Sequence, residues 1–193
     1  MIESFNIIGI LAFALSGYLS ATRKGADLLG VFIISFVTAF AGGLIRDISI
    51  NKIPSLYYDN LSFYLVLFVM FFAYLFKLHE KNIEDSFYFK FADSIGLVAF
   101  SISGALAAIS LDMSIFGVLL LSLITATGGG ILRDLLLRKK VFLLHEDIYG
   151  VLSLFIGFFV YVFNGNYLFI IFFLFILIRF IIIKKKMNLI RLS

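Results

Sequence analysis

Two heptapeptides decide the fold of this 193-residue chain: Ala-Gly-Gly-Leu-Ile-Arg-Asp at residues 41–47 and Gly-Gly-Gly-Ile-Leu-Arg-Asp at residues 128–134. They lie 87 positions apart, and the same offset aligns Ile-Gly-Ile-Leu-Ala-Phe-Ala-Leu-Ser-Gly at 8–17 with Ile-Gly-Leu-Val-Ala-Phe-Ser-Ile-Ser-Gly at 95–104. One such match could arise by chance, but a series in a single register indicates that the chain contains an internal duplication.

Apolar stretches surround these motifs. A bilayer core of about 30 Å needs about 20 apolar residues per helix, so we predict an all-α integral membrane protein with seven transmembrane helices. They are expected at residues 5–21, 29–46, 61–77, 92–109, 116–133, 148–163 and 166–183, and the sixth could begin nearer His145. The predicted units are a three-helix repeat at 1–84, a second at 88–164, and a seventh helix with a basic tail at 165–193.

Composition excludes several classes of protein. Hydrophobic residues make up 62% of the chain and charged residues 15%, and the mean hydropathy is +1.10, against about 45–50% and about 25% in average globular proteins. A soluble enzyme and a disordered chain are therefore excluded, and the absence of cysteine excludes a disulfide-stapled domain. The formal charge of +4 comes from basic residues that flank the apolar stretches, so it favours a membrane orientation over a nucleic-acid partner.

The distribution of basic residues predicts the orientation. All but Arg46 and Lys52 of the 16 lysines and arginines fall on one side of the predicted helices. The positive-inside rule places that side and the C-terminus in the cytoplasm, with the N-terminus outside a cell (inner) membrane. Since each repeat has three spans, an odd number, the second copy enters from the opposite face. The repeats are therefore predicted to be inverted, as in many proteins that move solutes or ions across membranes.

The second helix of each repeat carries the chemistry. Hydroxyl residues precede the glycines on one helical face, and they are the candidate pore-lining groups: Ser35, Thr38, Ser122 and Thr125. The glycines that follow could break the helix within the membrane: Gly42, Gly43, Gly128, Gly129 and Gly130. A break would free carbonyl groups for a cation and amide groups for an anion. The alternative is that the glycines serve only helix packing.

The charges that end the motifs, Arg46-Asp47 and Arg133-Asp134, leave two interpretations open. Neighbouring side chains diverge on a helix, so we do not expect them to pair with each other. Each arginine could anchor a helix end at the headgroups. Alternatively, each could cross to the glycine break of the other repeat, bond to its carbonyl groups and gate a pore.

Other polar and small residues receive structural interpretations. Small residues line one face of the first helix of each repeat and predict close helix packing: Gly9, Ala12, Ser16 and Ser20, repeated as Gly96, Ala99, Ser103 and Ala107. Asn6 and Asp93 are expected to cap helices. Arg179 is expected to snorkel toward Lys184, Lys185 and Lys186, a cluster that signals topology and could bind anionic lipid at the cytoplasmic face.

The search for catalytic groups and metal ligands predicts neither. His79 and His145 fall in different loops without metal-ligand spacing. The chain shows no catalytic triad or phosphate-binding loop at usable spacing. We therefore expect no enzyme activity, no cofactor and no metal site.

With its two three-span units, paired Gly-Gly-x-x-Arg-Asp motifs and seventh helix, the chain resembles the trimeric intracellular cation channel (TRIC) family along essentially its whole length. The bacterial branch is also described as a glycine-transporter-type domain family. The resemblance implies a homotrimer in which each subunit has its own potassium-selective pore, lined by kinked second and fifth helices. By position, the resemblance implies that the five glycines above are the kink residues. It also implies that the motif charges are Arg46, Asp47, Arg133 and Asp134.

The chain departs from the family pattern in two ways. Ala41 stands where the usual motif has a glycine, so the first kink is expected to be shorter or stiffer than the second. The spans at 61–77 and 92–109 have no basic residue in their apolar interior, which leaves a voltage-sensing charge unsupported.

Two functions follow from the sequence. A passive channel for potassium or sodium ions is favoured, because no acidic group is evident at mid-membrane, where ion-coupled carriers often have one. The alternative is a secondary transporter of a small zwitterion such as glycine, since half-helix N-termini suit a carboxylate. A purely structural membrane protein is disfavoured by the duplicated glycine motif.

Overall fold

The computed structural model describes residues 1–78, 87–141 and 148–185, and these residues form an all-helical protein. The helices are α1 (Ile2–Arg23), α2 (Leu28–Ser49), α3 (Asn60–Leu75), α4 (Phe87–Ile109), α5 (Ile115–Leu136), α6 (Tyr149–Val162) and α7 (Leu168–Lys185), with a short 3₁₀ helix at Ser55–Tyr57. The seven predicted helices are confirmed, and α4 differs most because it begins at Phe87 rather than 92. The suggested start of the sixth helix near His145 lies outside the described residues.

Among the described residues, four helices are long and apolar enough to cross a membrane on their own: α1, α2, α4 and α5. They are the first two helices of each repeat. Helices α3 and α6 are also apolar but shorter. The pairs α1–α2 and α4–α5 therefore form the membrane-spanning frame on which the shorter helices pack.

Equivalent residues, meaning residues 87 positions apart, shape equivalent turns. The loops before α2 and α5 turn at Gly25 and Asp112, which have φ of 70° and 51°. The same left-handed conformation recurs in two further pairs: Asn51 with Arg138, and Lys77 with Asn164. The N-caps of α2 and α5 are also equivalent, because Asp27 accepts a hydrogen bond from the amide of Gly30 (2.7 Å) and Ser114 from that of Gly117 (3.5 Å). The duplication is thus visible in the backbone.

Helices α1 and α4 form the centre of the protein. Gly9 packs against the ring of Phe100 and Gly96 against that of Phe13, and the two ring centroids are 5.3 Å apart. Both phenylalanines are buried. The small-residue face predicted for close packing is confirmed, and its partner is the equivalent helix of the same subunit.

The outer faces of α3 and α7 are apolar and exposed, as at Phe71 (62%) and Phe173 (67%), which suits contact with lipid. The opposite face of α7 packs on α4 and α6. The prediction for Arg179 was wrong: its side chain is buried rather than snorkelling toward the α7 terminus. The guanidinium lies 5.0 Å from the centroid of the Tyr149 ring, inside the protein.

Candidate functional site

The glycine motifs meet where α2 crosses α5. A Cβ atom on Gly42 would lie 2.1 Å from the carbonyl oxygen of Thr125, and one on Gly129 would lie 2.2 Å from that of Thr38. These two contacts are equivalent by the 87-residue offset. Gly128 adds to the contact, since its Cβ would lie 3.3 Å from the Cα of Gly42. The missing side chains therefore let the two helix backbones touch.

The predicted helix break was wrong. Helices α2 and α5 run without interruption through all five glycines. Within the described residues, only Gly25 and Gly165 among the glycines have positive φ. The sequence interpretation took glycine for its conformational freedom, whereas the fold uses its lack of a side chain. Carbonyl and amide groups in the motifs consequently stay within their helices.

The predicted hydroxyl groups lie beside this crossing. Ser35, Thr38 and Thr125 donate to the carbonyl oxygens four residues earlier, at 2.7, 2.6 and 2.6 Å. Ser122 donates to the carbonyl oxygen of Ser153 at 2.9 Å. All four hydroxyl residues are fully buried. In this structure they pack between helices, and their exposure to an ion pathway stays a prediction.

Arg46 joins the two repeats. Its Nη1 donates to the side-chain oxygen of Asn6 in α1 (2.7 Å) and to the hydroxyl of Ser103 in α4 (2.6 Å). Its Nε donates to Asp47 at 2.8 Å, and the other oxygen of that carboxylate accepts the amide of Ser55 at 3.1 Å. Arg46 is only 4% exposed. One guanidinium thus holds α1, α2 and α4 together.

Arg133 repeats this arrangement in the other half of the protein. Its Nη1 donates to the hydroxyl of Ser16 in α1 (2.5 Å) and to the carboxylate of Asp93 in α4 (2.6 Å). Its Nε donates to Asp134 at 2.9 Å, and its guanidinium lies 4.9 Å from the ring centroid of Phe89. The residue is 1% exposed. We call the surroundings of the two arginines the Arg46 half and the Arg133 half.

These contacts correct three expectations. Each arginine pairs with the aspartate that follows it, because the long side chain folds back and burial favours a bonded charge pair. Neither arginine anchors a helix end at headgroups, since both are buried. Each does cross to the other repeat, but it reaches a serine rather than a glycine carbonyl.

Asn6 and Asp93 were wrongly interpreted as caps. Asn6 lies inside α1 and Asp93 inside α4, and both bind a motif arginine. The signal in the sequence is that Asn6 and Asp93 lie 87 positions apart, so each is a strongly polar residue at the same position of a mainly apolar helix.

A cavity of about 270 Å³ opens in the Arg46 half. Gly43 and Arg46 face it from α2, and the described residues that line it include three carboxylates: Glu3, Asp47 and Asp59. One guanidinium against three carboxylates makes the lining acidic at neutral pH. Pro54, Ser55 and Ser62 complete the side that leads toward α3.

The Arg133 half is more basic at its edge. Lys139 follows α5, and its ammonium group lies 3.5 Å from the carbonyl oxygen of Ser20. Partial burial, together with the positive charge of Arg133, lowers the pKa of Lys139 to about 8. Arg23 and Lys24 add to the local positive charge and act in the same direction.

Comparisons with known proteins match both repeats. The glycine-transporter family model matches twice, at residues 3–78 and 90–165, which begin 87 positions apart. The UPF0126 membrane protein YvgT of Bacillus subtilis is 38% identical over 151 residues, covering 77% of this chain and 74% of that protein. A prokaryotic TRIC channel crystallised in 0.5 M KCl is 33% identical, with a TM-score of 0.88 over 97% of this chain and 98% of the other. The chain belongs to the TRIC family.

A second solved TRIC structure agrees with this assignment. The trimeric intracellular cation channel orthologue from Rhodobacter sphaeroides is 26% identical, with a TM-score of 0.84 over 96% of this chain and 98% of the other. The fold class predicted from the sequence is therefore confirmed as the TRIC fold, and the chain is a multi-pass membrane protein.

The structure shows where the departure from the family motif at Ala41 lies in this TRIC chain. Ala41 is buried, and its equivalent Gly128 is the glycine against which Ile45 and Gly42 pack. The described residues contain no group of three or more His, Cys, Asp or Glu side chains that could hold a metal ion. His79 and His145 lie outside the described residues.

Proposed function

We propose that this TRIC-family chain conducts monovalent cations, potassium foremost and sodium as well, down their electrochemical gradient. The acidic cavity that ends at Arg46 is the observation that carries this proposal. An excess of carboxylates in a concave, partly apolar site concentrates cations and repels anions. Solved members of the family are named cation channels, which supports the same function.

The proposed pathway lies within one subunit, along the second and fifth helices. A Cβ on Gly43 would meet only Arg46, at 3.9 Å, and one on Gly130 would meet Tyr149 and Arg133 at 3.7 and 3.8 Å. In each helix, the last glycine of the motif therefore faces an arginine, while the glycine before it faces the other helix. The path follows the arginine side, and Gly42, Gly128 and Gly129 hold the two helices together beside it.

In this proposal the arginines and their aspartates, Asp47 and Asp134, act as gates. Arg46 closes its half by bridging to Ser103, and Arg133 by bridging to Ser16. Conduction requires these bridges to open so that a cation can pass the guanidinium position. The hydroxyl groups of Ser35, Thr38, Ser122 and Thr125 would then serve as pathway ligands if the helices separate.

A carrier for a small zwitterion such as glycine is the second candidate. It has a specific observation in its favour, because the cavity offers the Arg46 guanidinium to a carboxylate and nearby carboxylates to an ammonium group. The name of the matching family model points the same way. The channel is preferred because three carboxylates line the cavity against one guanidinium, an excess that favours a cation over a neutral zwitterion.

The deciding experiment compares ion currents with solute uptake. Purified protein in planar bilayers under a KCl gradient should give unitary currents that reverse near the potassium potential. Glu3→Gln should lower the potassium current about twofold at low salt and less at high salt, because salt screens exposed charge. Asp112→Asn, which alters an exposed acid in the loop after α4, is the matched control. Silent bilayers together with saturable glycine uptake into liposomes would replace the channel with the carrier.

The proposal extends to assembly and orientation. A homotrimer with one pathway per subunit is expected, as the name of the R. sphaeroides orthologue suggests for that protein. Following the positive-inside rule, we propose that the Arg46 half faces the outside of the cell and that the Arg133 half faces the cytoplasm. Anionic lipid is placed near Lys184 and Lys185, which end α7, while Lys186 lies outside the described residues. Labelling of single cysteines from each side of the membrane would test this orientation.

A further inference from the structure

The two halves of the proposed pathway differ at one pair of equivalent residues, Ser62 in α3 and Tyr149 in α6. Helices α3 and α6 correspond along their length, since they end at Leu75 and Val162, which are also 87 positions apart. Ser62 is 6% exposed and Tyr149 is 3% exposed, so both side chains point into the protein. The duplicated position thus holds one of the smallest polar side chains in one half and one of the largest in the other.

The consequence of this difference is visible at the two glycines that face the arginines. In the Arg46 half, Gly43 and Ser62 both line the open cavity. In the Arg133 half, the Tyr149 hydroxyl lies 3.7 Å from where a Cβ on Gly130 would be, beside the Arg133 guanidinium. The tyrosine ring therefore occupies the place that corresponds to the cavity.

Two further features hold Tyr149 in that place. Arg179 reaches it from α7, a helix with no equivalent in the repeats, and lies 5.0 Å from the ring centroid. On the other side, the hydroxyl group is within electrostatic range of Asp93 and Arg133. Tyr149 is thus enclosed by α4, α5 and α7.

The backbone before Tyr149 is strained. Ile148, the N-cap of α6, has φ of 76° and ψ of −6°, a left-handed conformation that a β-branched side chain rarely adopts. The helix start also lacks a side-chain cap, whereas α3 is capped by Asp59 in an extended conformation. Strain of this kind persists only where surrounding contacts impose it, so relaxation at Ile148 would move Tyr149.

We propose that Tyr149 is the plug that closes the Arg133 half of the pathway, and that Arg179 of α7 holds the plug in place. This inference rests on the proposed function for its consequence, since withdrawal of the ring would admit ions. It assigns α7 a task that the duplicated helices cannot perform. The Arg46 half has no such plug because Ser62 leaves its cavity open.

Cysteine labelling tests the plug without relying on ion flux. The chain has no cysteine, so Gly43→Cys and Gly130→Cys each create one thiol, at positions where a Cβ has room. A small, charged methanethiosulfonate should modify Gly43→Cys at least about tenfold faster than Gly130→Cys. Adding Tyr149→Ser, which copies Ser62, should bring Gly130→Cys to the fast rate. Adding Tyr149→Phe, which keeps the ring, should leave it slow.

Intermediate and reverse variants sharpen the test. Arg179→Met in the Gly130→Cys protein should raise the labelling rate part of the way, because the ring loses its clamp. Ser62→Tyr in the Gly43→Cys protein should slow labelling about tenfold. Thermal melting of each variant establishes that it folds.

Equal labelling of Gly130→Cys with Tyr149, Phe or Ser at position 149 would overturn the plug, whatever the current. If the labelling rates follow the predicted pattern but the protein passes no potassium current, the channel would be rejected and the plug retained. In a conducting protein, Tyr149→Ser should also raise the open probability several-fold, and an unchanged open probability would reject Tyr149 as the gate.

Discussion

The Arg46 half and the Arg133 half have the same backbone plan and nearly the same hydrogen bonds, yet their surroundings differ. Each guanidinium binds the aspartate that follows it in the chain, a serine of the other repeat, and a polar residue in the first helix of its own repeat. That last partner is neutral Asn6 in one half and the carboxylate of Asp93 in the other. Among the described residues, an acidic cavity adjoins Arg46, whereas Tyr149 adjoins Arg133.

The difference teaches which features the duplication determines and which it leaves to single residues. Three pairs of turn residues, the contacts of Gly42 and Gly129, and the arginine bridges to serine and aspartate all recur in both halves, so they belong to the duplicated backbone. Charge and openness do not recur. Differences at two equivalent pairs, Asn6 with Asp93 and Ser62 with Tyr149, leave a cavity beside Arg46 and place a tyrosine ring beside Arg133.

Replacing each arginine should give the largest difference in folding stability between the two halves. Arg133→Gln leaves the buried carboxylates of Asp93 and Asp134 without their main counter-charge, so we expect it to cost about 3–5 kcal/mol of folding stability. Arg46→Gln removes the counter-charge of only one carboxylate, Asp47. That carboxylate keeps its hydrogen bond from the Ser55 amide and adjoins the open cavity. Its cost should be about 1–3 kcal/mol. Unfolding in detergent, followed by helical circular dichroism, measures both losses.

A second substitution tests the cause of that difference. Asp93→Asn gives position 133 the same types of side-chain partner that Arg46 has, namely Asp, Asn and Ser, and removes one buried carboxylate, so it should recover part of the loss when added to Arg133→Gln. The matched change Asn6→Asp should not rescue Arg46→Gln, since it adds a carboxylate. Equal losses for the two arginine variants, or no recovery with Asp93→Asn, would contradict the charge argument.

Adjacent glycines should respond oppositely to alanine. Gly129→Ala places a Cβ 2.2 Å from the carbonyl oxygen of Thr38 and must push α2 away from α5, at a cost of about 1–3 kcal/mol or more. Gly130→Ala meets no atom closer than 3.7 Å and should be neutral or stabilise α5 by up to about 1 kcal/mol. Melting temperatures of Gly42→Ala and Gly43→Ala should repeat the pattern in α2. Similar losses at both glycines of a pair would show that chain flexibility, rather than close approach, is what the motif requires.

The helices could be predicted from the sequence because long apolar stretches admit few alternatives in a membrane. The internal repeat could be predicted as well, since its matches share one register. The role of the glycines could not, because a helix break and a close helix contact both require the same residue type. Which one applies depends on the distance from Gly42 to Thr125 across the α2–α5 crossing, and that distance is set by the packing of the whole bundle.

The partners of the arginines were beyond prediction for a related reason. Ser103 is 57 positions from Arg46, and Ser16 is 117 positions from Arg133. Only the packing of α1 against α4 brings these groups together. The sequence did contain a signal in Asn6 and Asp93, polar residues at equivalent positions inside apolar helices, but it did not show what they bind.

Lys52 and Lys139, an equivalent pair, offer the subtlest contrast between the halves. Their amides make the same backbone bond, to the carbonyl oxygens of Asp47 (2.8 Å) and Asp134 (2.9 Å). Lys52 is exposed, while Lys139 is partly buried near Arg133 and has a pKa lowered to about 8. Because the unfolded chain holds this proton up to pH of about 10.5, deprotonation of the folded protein should stabilise it as pH rises from about 8 to about 10.5.

Lys139→Gln should therefore remove part of the gain in melting temperature between pH 7 and pH 10, and Lys52→Gln should not. The effect should stay below about 1 kcal/mol, because solvent screens a side chain that is only partly buried. Subtracting the Lys52→Gln profile from the Lys139→Gln profile cancels the titration of the tyrosines and remaining lysines common to both variants. If the two profiles coincide, the basic edge of the Arg133 half imposes no penalty on Lys139, and the halves differ there in sequence position alone.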